Sequence, residues 1–133
     1  MDNAGTYDLA VLDSSAFPAS GILSAITGLD GMSSVSLEAA FKQGSGGATL
    51  SAIVMTTFDD GQSWRHVARF DFTTSSATKL ANIQASGVKA VTAYADLASE
   101  GVNDGMLGDQ LAVKILTSGS YSNASLSIRA AVR

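Results

Sequence analysis

From residue 34 onward, apolar and polar residues alternate in short runs, as they do in strands that bury one face. The run SVSLEAAF (34–41) places on one face Val35, Leu37, Ala39 and Phe41. The run SWRHVARFDF (63–72) places on one face Trp64, His66, Ala68, Phe70 and Phe72. The run TLSAIVMTT (49–57) is apolar on both faces, which is typical of a central strand in a two-layer fold. Each run predicts a strand.

Weaker alternation predicts further strands on either side. The run TYDLAVLD (6–13) has on one face Tyr7, Leu9 and Val11. The run VKAVTAYADL (88–97) has on one face Val88, Ala90, Thr92 and Tyr94. LAVKILT and ASLSIRAAVR flank SGSYSN, which predicts a hairpin in the last quarter of the chain. The buried face of its second strand would carry Leu126, Ile128, Ala130 and Val132, and we expect this strand to be paired.

The connecting segments contain turn residues rather than helical patterns. GSGG within residues 42–48 indicates a flexible turn, 73–83 is at most a helical turn, and 98–108 indicates a loop. Seven or eight strands with turn signals every 8 to 15 residues predict an all-β fold, an antiparallel β-sandwich or jelly roll of about eight strands. Low charge (15%), 13 glycines and one proline agree with this.

The first 30 residues are the least regular part of the chain. Pro18 excludes a helix across its position, and glycines interrupt the rest. We therefore divide the chain into a strand or arm with a loop (1–30) and a single β-sandwich domain (31–133). The N-terminal stretch is either a partner-seeking arm or an ordinary first strand and loop of the core. In the first case its apolar residues would contact a partner: Phe17, Ile22, Leu23, Ile26, Leu29 and Met32.

Charge and composition exclude several classes of function. The net charge of −4, with eight scattered basic residues, argues against nucleic-acid binding, which needs clustered Lys and Arg. Without cysteine there is no disulfide framework and no thiolate metal site. No segment approaches the roughly 18 apolar residues of a membrane span, and the N-terminus lacks the basic and apolar regions of a signal peptide.

The stretch TTFDDGQSW (56–64) is the one motif that stands out. Its spacing resembles the Asp-box of sialidase propellers, although a complete propeller would need several times this length. An Asp-box is a structural turn. The matching roles are Thr57 at its start, Asp59 accepting backbone N–H groups, Gly61 supplying a positive φ, and Trp64 beginning the next strand on its buried face.

Candidate catalytic groups do not form a recognisable set. His66 is the only histidine, and it lies at the inward phase of its run, where a hydrogen-bonded or half-buried core histidine is expected. A carboxylate pair for glycoside hydrolysis would come from Asp59, Asp60, Asp71 or Glu100, but nothing in the sequence separates their pKa values. We predict no enzyme.

Candidate ligand sites are equally weak. An all-oxygen metal site would use Asn103, Asp104 and Asp109, which lack EF-hand spacing and a closing Glu. GSGG (44–47) lacks the Lys-Ser/Thr of a phosphate-binding loop. We predict no cofactor and no metal.

Together, the alternating strands, the T-x-D-D-G-x-S-W hairpin and the closing GDQLAVKILTSGSYSNASLSIRAAVR resemble a group of small tailed-phage virion proteins. More narrowly, residues 48–133 resemble capsid cement (decoration) proteins of jelly-roll type. The resemblance implies a non-enzymatic protein made in the host cytoplasm and located on the outer capsid surface of the virion. It would form a homodimer or homotrimer and bridge neighbouring phage major capsid proteins, with neither nucleic acid nor membrane as a partner.

Other functions remain open. The same strands suit a phage tail, neck or fibre-associated sandwich protein. A carbohydrate-binding module would need exposed aromatics, and the chain offers one Trp and three Tyr. A β-sandwich of some other role is the remaining alternative.

Overall fold

A computed structural model describes residues 3–133, which form β-strands and one 3₁₀ helix, Ser14–Ala16. The strands are β1 Gly5–Asp13, β2 Ser20–Ile22, β3 Ser34–Lys42, β4 Ser45–Gly46, β5 Thr49–Thr56, β6 Arg65–Phe72, β7 Ala77–Gln84, β8 Gly101–Val102, β9 Leu111–Ser118, β10 Tyr121–Ser122 and β11 Ser125–Val132. Between residues 3 and 133 there is no helix long and apolar enough to cross a bilayer.

Two antiparallel sheets form a sandwich. One has the order β1-β11-β3-β7 and the other the order β2-β9-β5-β6-β8. If the short β4, β8 and β10 are set aside, eight strands remain, and the chain passes between the sheets in the order of a jelly roll. The predicted all-β sandwich is confirmed, and so is the central position of β5.

The core lies between the two sheets and follows the predicted alternation. The inward residues of β3 and β11 are buried, as predicted: Val35, Leu37, Ala39 and Phe41 on one strand and Leu126, Ile128, Ala130 and Val132 on the other. From the opposite sheet Leu50, Val54, Val113 and Ile115 pack against them. Each fully buried aliphatic side chain contributes about 1.5–3 kcal/mol through removal from water.

The N-terminal residues belong to this sandwich. β1 pairs with β11 along its whole length, and β2 pairs with β9 in the other sheet. Residues 5–13 are therefore a strand of the core rather than an arm, and no division of the fold follows residue 30. The alternative of an ordinary first strand and loop describes this region.

A β-bulge at Leu9 changes the expected faces of β1. Asp8 lies opposite Arg129 and Ala10 opposite Ile128, which leaves Leu9 as an extra residue. Leu9 and Ala10 are both buried, and Val11 points outward with 65% of its surface exposed. The prediction that Val11 shares a face with Leu9 is wrong, because a bulge shifts the alternation by one residue.

The predicted hairpin near the C-terminus is also wrong. β9 belongs to the five-stranded sheet and β11 to the four-stranded sheet, so the segment between them crosses from one layer to the other. Within that segment β10 pairs with β4, and the GSGG stretch is thus a strand pairing rather than a flexible turn. A side chain at Gly44 would clash with the backbone of Ser122, which explains the need for glycine there.

Two further segments differ from expectation. Residues 77–84 form β7, an edge strand paired with β3, where at most a helical turn was predicted. Residues 88–97 were predicted as a strand, but they form an extended connection outside the sheets. Alternation alone cannot distinguish a strand that finds a partner from one that does not.

Candidate functional site

The turn between β5 and β6 is held together by Thr57 and Asp59. Oδ1 of Asp59 accepts hydrogen bonds from Thr57 Oγ1 and from the Ser63 backbone N–H, each at 2.8 Å. Its Oδ2 accepts from Ser63 Oγ at 2.6 Å, while Thr57 Oγ1 accepts from Gly61 N–H at 2.9 Å. The Ser63 hydrogen bonds, with that from Thr57, lower the pKa of Asp59 to about 2. The carboxylate is fully used in shaping the turn.

The same turn is joined to the rest of the fold through its tip. Asp60 and Gly61 both have positive φ, +58° and +87°. Oδ1 of Asp60 accepts a hydrogen bond of 2.7 Å from the Gln110 side chain, next to β9. The Trp64 ring covers Gly61. Trp64 is half-buried, and it packs against Ile53 and Met55 on the outer face of the five-stranded sheet rather than in the main core, where it was predicted.

His66 lies on that outer face as well, because of a second bulge. Met55 is paired with His66 and Val54 with Ala68, so Val67 is the extra residue and the alternation shifts there. His66 is 8% exposed, and its Nδ1 accepts a hydrogen bond of 3.1 Å from Leu97 N–H. Burial lowers the pKa of His66, against the opposing effect of Asp96. The inward placement predicted for His66 is wrong, although a hydrogen-bonded, buried histidine is found.

Tyr94 and Asp96 complete the surroundings of His66. The Tyr94 hydroxyl accepts a hydrogen bond of 2.7 Å from the His66 backbone N–H and donates one of 2.7 Å to Asp96. The distance from His66 Nε2 to Asp96 Oδ1 is 3.7 Å. Because its Nδ1 accepts a hydrogen bond from the Leu97 backbone N–H, His66 is an anchor for residues 94–97.

Two of the four candidate carboxylates lie in ion pairs on the edge of the sandwich. Asp71 contacts Arg69 at 2.9 Å, and Glu100 contacts Lys79 at 2.5 Å. Burial alone would raise the pKa of each carboxyl group, but the hydrogen bonds from these cations and from neighbouring groups lower it. Neither group is therefore prepared as a proton donor.

Asn103 and Asp104, which were considered as metal ligands and rejected, make structural hydrogen bonds. Asp104 Oδ1 accepts from the backbone N–H groups of Gln84 and Gly105, at 2.7 and 2.8 Å. The Asn103 amide donates to the His66 carbonyl at 2.9 Å. In the described part of the chain, no three His, Asp or Glu side chains are placed to hold a metal ion.

The predicted partner-contact residues are not a single surface. Leu29 and Met32 are core residues, 0% and 5% exposed, so a contact role for them is wrong. The half-buried members of the set pack against the core: Phe17, Leu23 and Ile26. Only Ile22, on the short edge strand β2, is largely exposed, at 53%.

The outer face of the four-stranded sheet is a surface built from all four strands. It consists mainly of small residues at the outward positions of β1, β11, β3 and β7: Thr6, Val11, Ala131, Ser127, Ser36, Ala40, Asn82 and Thr78. Across its middle runs one row of larger residues, namely Asp8, Arg129, Glu38 and Leu80. Arg129 donates to Asp8 at 3.1 Å, and a shallow groove of about 410 Å³ lies between this row and Ser36.

Exposed apolar residues mark this outer face and the connection after β7. Leu80 and Val11 are 75% and 65% exposed on the outer face, and Val88 and Val91 are fully exposed on the connection. The outer face was not predicted from the sequence. Its signal was the Ser and Ala on the outward phase of β3 and β11, which is a usual feature of solvated strands.

Neither protein families nor curated proteins provide a relative of this chain. A scan with models of protein families matches none of them, and a search of curated proteins finds no match. The resemblance to capsid cement proteins therefore stays a prediction made from short motifs, and the function has to be inferred from the surfaces described above.

Proposed function

We propose that this chain is a non-enzymatic structural protein of a tailed-phage virion. It binds the outer surface of the capsid and bridges neighbouring major capsid proteins without covalent bonds. Two things support the proposal: the resemblance of residues 48–133 to capsid cement proteins, and an outer face of small side chains on which Leu80 and Val11 are exposed.

The composition of the outer face suits contact with another protein. Small Ser, Thr and Ala side chains lose little rotamer freedom when they are covered, so the entropic cost of binding is low. Leu80 and Val11 supply apolar area that water now surrounds. The sheet behind them is fixed by the core, and this rigidity avoids an ordering cost on binding.

The charges around Arg129 would fix how a bound partner is oriented on the outer face. Arg129 stands between Asp8 and Glu38 in the middle row, so the positive charge is flanked by two negative ones. A partner with the complementary arrangement would be held in one register, because misplaced like charges are repelled. Many identical copies on a lattice would then convert a weak contact into stable attachment.

The state of the candidate catalytic groups supports a structural role. Asp59 is committed to its turn, Asp71 and Glu100 to ion pairs, and His66 to the Leu97 backbone. Each group takes part in contacts that stabilise the fold.

The first experiment is quantitative mass spectrometry of purified virions from the phage that encodes the chain. The expected result is a copy number equal to that of the major capsid protein or to a simple fraction of it. A handful of copies would instead support the tail, neck or fibre-associated alternative. Absence from the virion would contradict both proposals.

A pair of variants tests the surface itself. Leu80→Lys places a charge on the outer face, and Ile22→Lys places one on β2, the exposed position from the predicted contact set. Both side chains are exposed, so both variants should fold. We expect Leu80→Lys to reduce binding to undecorated capsids and Ile22→Lys to leave it unchanged. The opposite result would move the contact to the N-terminal region.

Carbohydrate binding is a second candidate because of Phe58. This ring is 63% exposed and borders a groove of about 460 Å³ that also contains Asp30, Leu107 and Asp109. An aromatic face beside carboxylates can stack on a sugar ring and accept its hydroxyl hydrogens. Retention on a glycan array that is lost in Phe58→Ala would support this function, and no retention would reject it.

A further inference from the structure

The segment 88–95, VKAVTAYA, has the composition of a strand and none of its burial. Apart from Lys89 it carries no charge, and it is rich in Val, Ala, Thr and Tyr. All eight residues are exposed, and Val88 and Val91 are as exposed as in an extended chain, at 104% and 105%. An exposed apolar stretch of this composition normally pairs or is covered.

Its backbone is also unpaired. Among residues 3–133, no backbone hydrogen bond joins positions 88–96 to another backbone group. The nearest backbone hydrogen bond before the segment joins Gly87 to Gln84, and the nearest one after it joins Asn103 to Val67. The segment therefore presents free N–H and C=O groups together with its apolar side chains.

Both ends of the segment are anchored to the fold. On one side Ala85 N–H donates to the Ser33 carbonyl at 2.8 Å. On the other side Tyr94 is held by the His66 N–H, and the Leu97 backbone is held by His66 Nδ1 and by Arg69. Because the ends are fixed, ordering the middle as a strand costs less entropy than ordering a free tail.

The matching surface is the open edge of β1. No other strand of the described chain pairs with the side of β1 that faces away from β11. The edges near the segment are already protected, since Asp104 caps the Gln84 N–H at the end of β7 and β8 lies along β6. The charged residues of β1 are Asp8, which already pairs with Arg129, and Asp13. Both are exposed, and the one charge of the segment is Lys89.

The anchors at its two ends hold the segment away from β1 of its own chain. β1 and β7 are the opposite edges of the four-stranded sheet, and the segment leaves from β7. With strands about 4.8 Å apart, three spacings separate the two edges. The far end of the segment is fixed to β6 in the other sheet, so pairing has to occur between molecules.

We propose that segment 88–95 of one copy adds as a strand to the β1 edge of a second copy. Strand addition supplies affinity through main-chain hydrogen bonds, and Lys89 meets the acidic edge. Donor and acceptor surfaces differ, so the contact is head-to-tail and closes into a ring when the rotation permits. Each copy then takes part in two interfaces. This inference goes beyond the proposed function and holds whether or not the protein binds capsids.

Sedimentation velocity of the purified full chain over a range of concentrations tests the proposal. We expect a reversible oligomer. Val91→Asp should weaken association by about tenfold or more, because it places a charge in an apolar contact. Leu80→Asp, which changes another largely exposed apolar side chain on the outer face, should leave association unchanged and serves as the control.

Cross-linking identifies the acceptor edge. The chain has no cysteine, so single Cys variants can be mixed without background. Val91→Cys should be linked to Thr6→Cys on β1 by a short bis-maleimide, and not to Thr78→Cys on β7. A chain that is monomeric at every concentration, or loss of association in Leu80→Asp alone, would overturn the proposal. So would a monomer whose capsid binding is lost in Val91→Asp, since the partner would then be a capsid protein.

Discussion

At the scale of single residues, Gly61 shows how the Asp-box-like turn is built. Its φ of +87° lies in the left-handed region, while a Cβ would meet only the Trp64 ring at 3.6 Å, an ordinary contact distance. The requirement for glycine is therefore conformational rather than steric.

Gly61→Ala should lower the free energy of unfolding by about 1–2 kcal/mol, the cost of a left-handed conformation for a residue with a Cβ. Gly101→Ala is the control, because Gly101 has no positive φ and no atom within 4 Å of its Cβ position. Urea denaturation of both variants measures the difference. Equal stabilities would show that the turn relaxes into another conformation.

Also at the residue scale, the protonation of His66 makes the free energy of unfolding depend on pH. Its pKa in the folded protein is lowered by burial, so below the ordinary value of 6.5 the unfolded chain binds more protons than the folded one. The free energy of unfolding should therefore fall as pH drops from about 7 to 5. In His66→Asn that part of the pH dependence should disappear. A wild-type profile that is flat over this range would contradict the prediction.

At the scale of elements, β7 is an edge strand that carries an inward-pointing lysine. Lys79 donates to the Asp71 carbonyl at 2.6 Å and to Glu100 at 2.5 Å, and its ammonium lies 5.1 Å from the centre of the Phe72 ring. A charge that points inward at an edge is a known obstacle to further strand pairing.

Lys79→Val should make β7 a longer apolar edge and increase aggregation on mild heating. Lys42→Val, at the exposed end of the interior strand β3, is the control and should aggregate no more than the wild type. Light scattering during a temperature ramp measures this. Equal scattering by both variants would show that Lys79 has no protective role.

Alternation was sufficient for β3 and β11, and an apolar run on both faces for β5, because these strands lie inside the sheets. It failed at Leu9 and Val67, since a bulge adds one residue without a sequence mark and reverses the faces beyond it. Thr57, Asp59 and Gly61 could be placed in their turn because these bonds are local. The outer face could not be found, because it depends on which distant strands become neighbours.

At the scale of the whole molecule, the sandwich depends on strands from its N-terminal region. β1 covers one side of β11, and β2 pairs with β9. Buried Leu29 and Met32 add to the core between the sheets.

Deletion of residues 1–30 should therefore leave a chain that does not fold, in contrast to the removal of a free arm. Replacement of residues 88–93 by a Gly/Ser linker of equal length is the control, and it should retain the fold because this stretch lies outside the sheets. Circular dichroism and NMR spectra distinguish the outcomes. If the deletion variant folds, the N-terminal region is an arm and not a part of the core.

The position of β11 between β1 and β3 governs when the four-stranded sheet can form. Asp8 of β1 is paired with Arg129 of β11, which follows 121 residues later in the chain. The first strand therefore has no partner until β11 is present. During synthesis β1 and β3 leave the ribosome without the strand that joins them, and the sheet closes only after β11 has emerged. Such distant pairing places folding in the range of milliseconds to seconds, which stopped-flow fluorescence of Trp64 can measure.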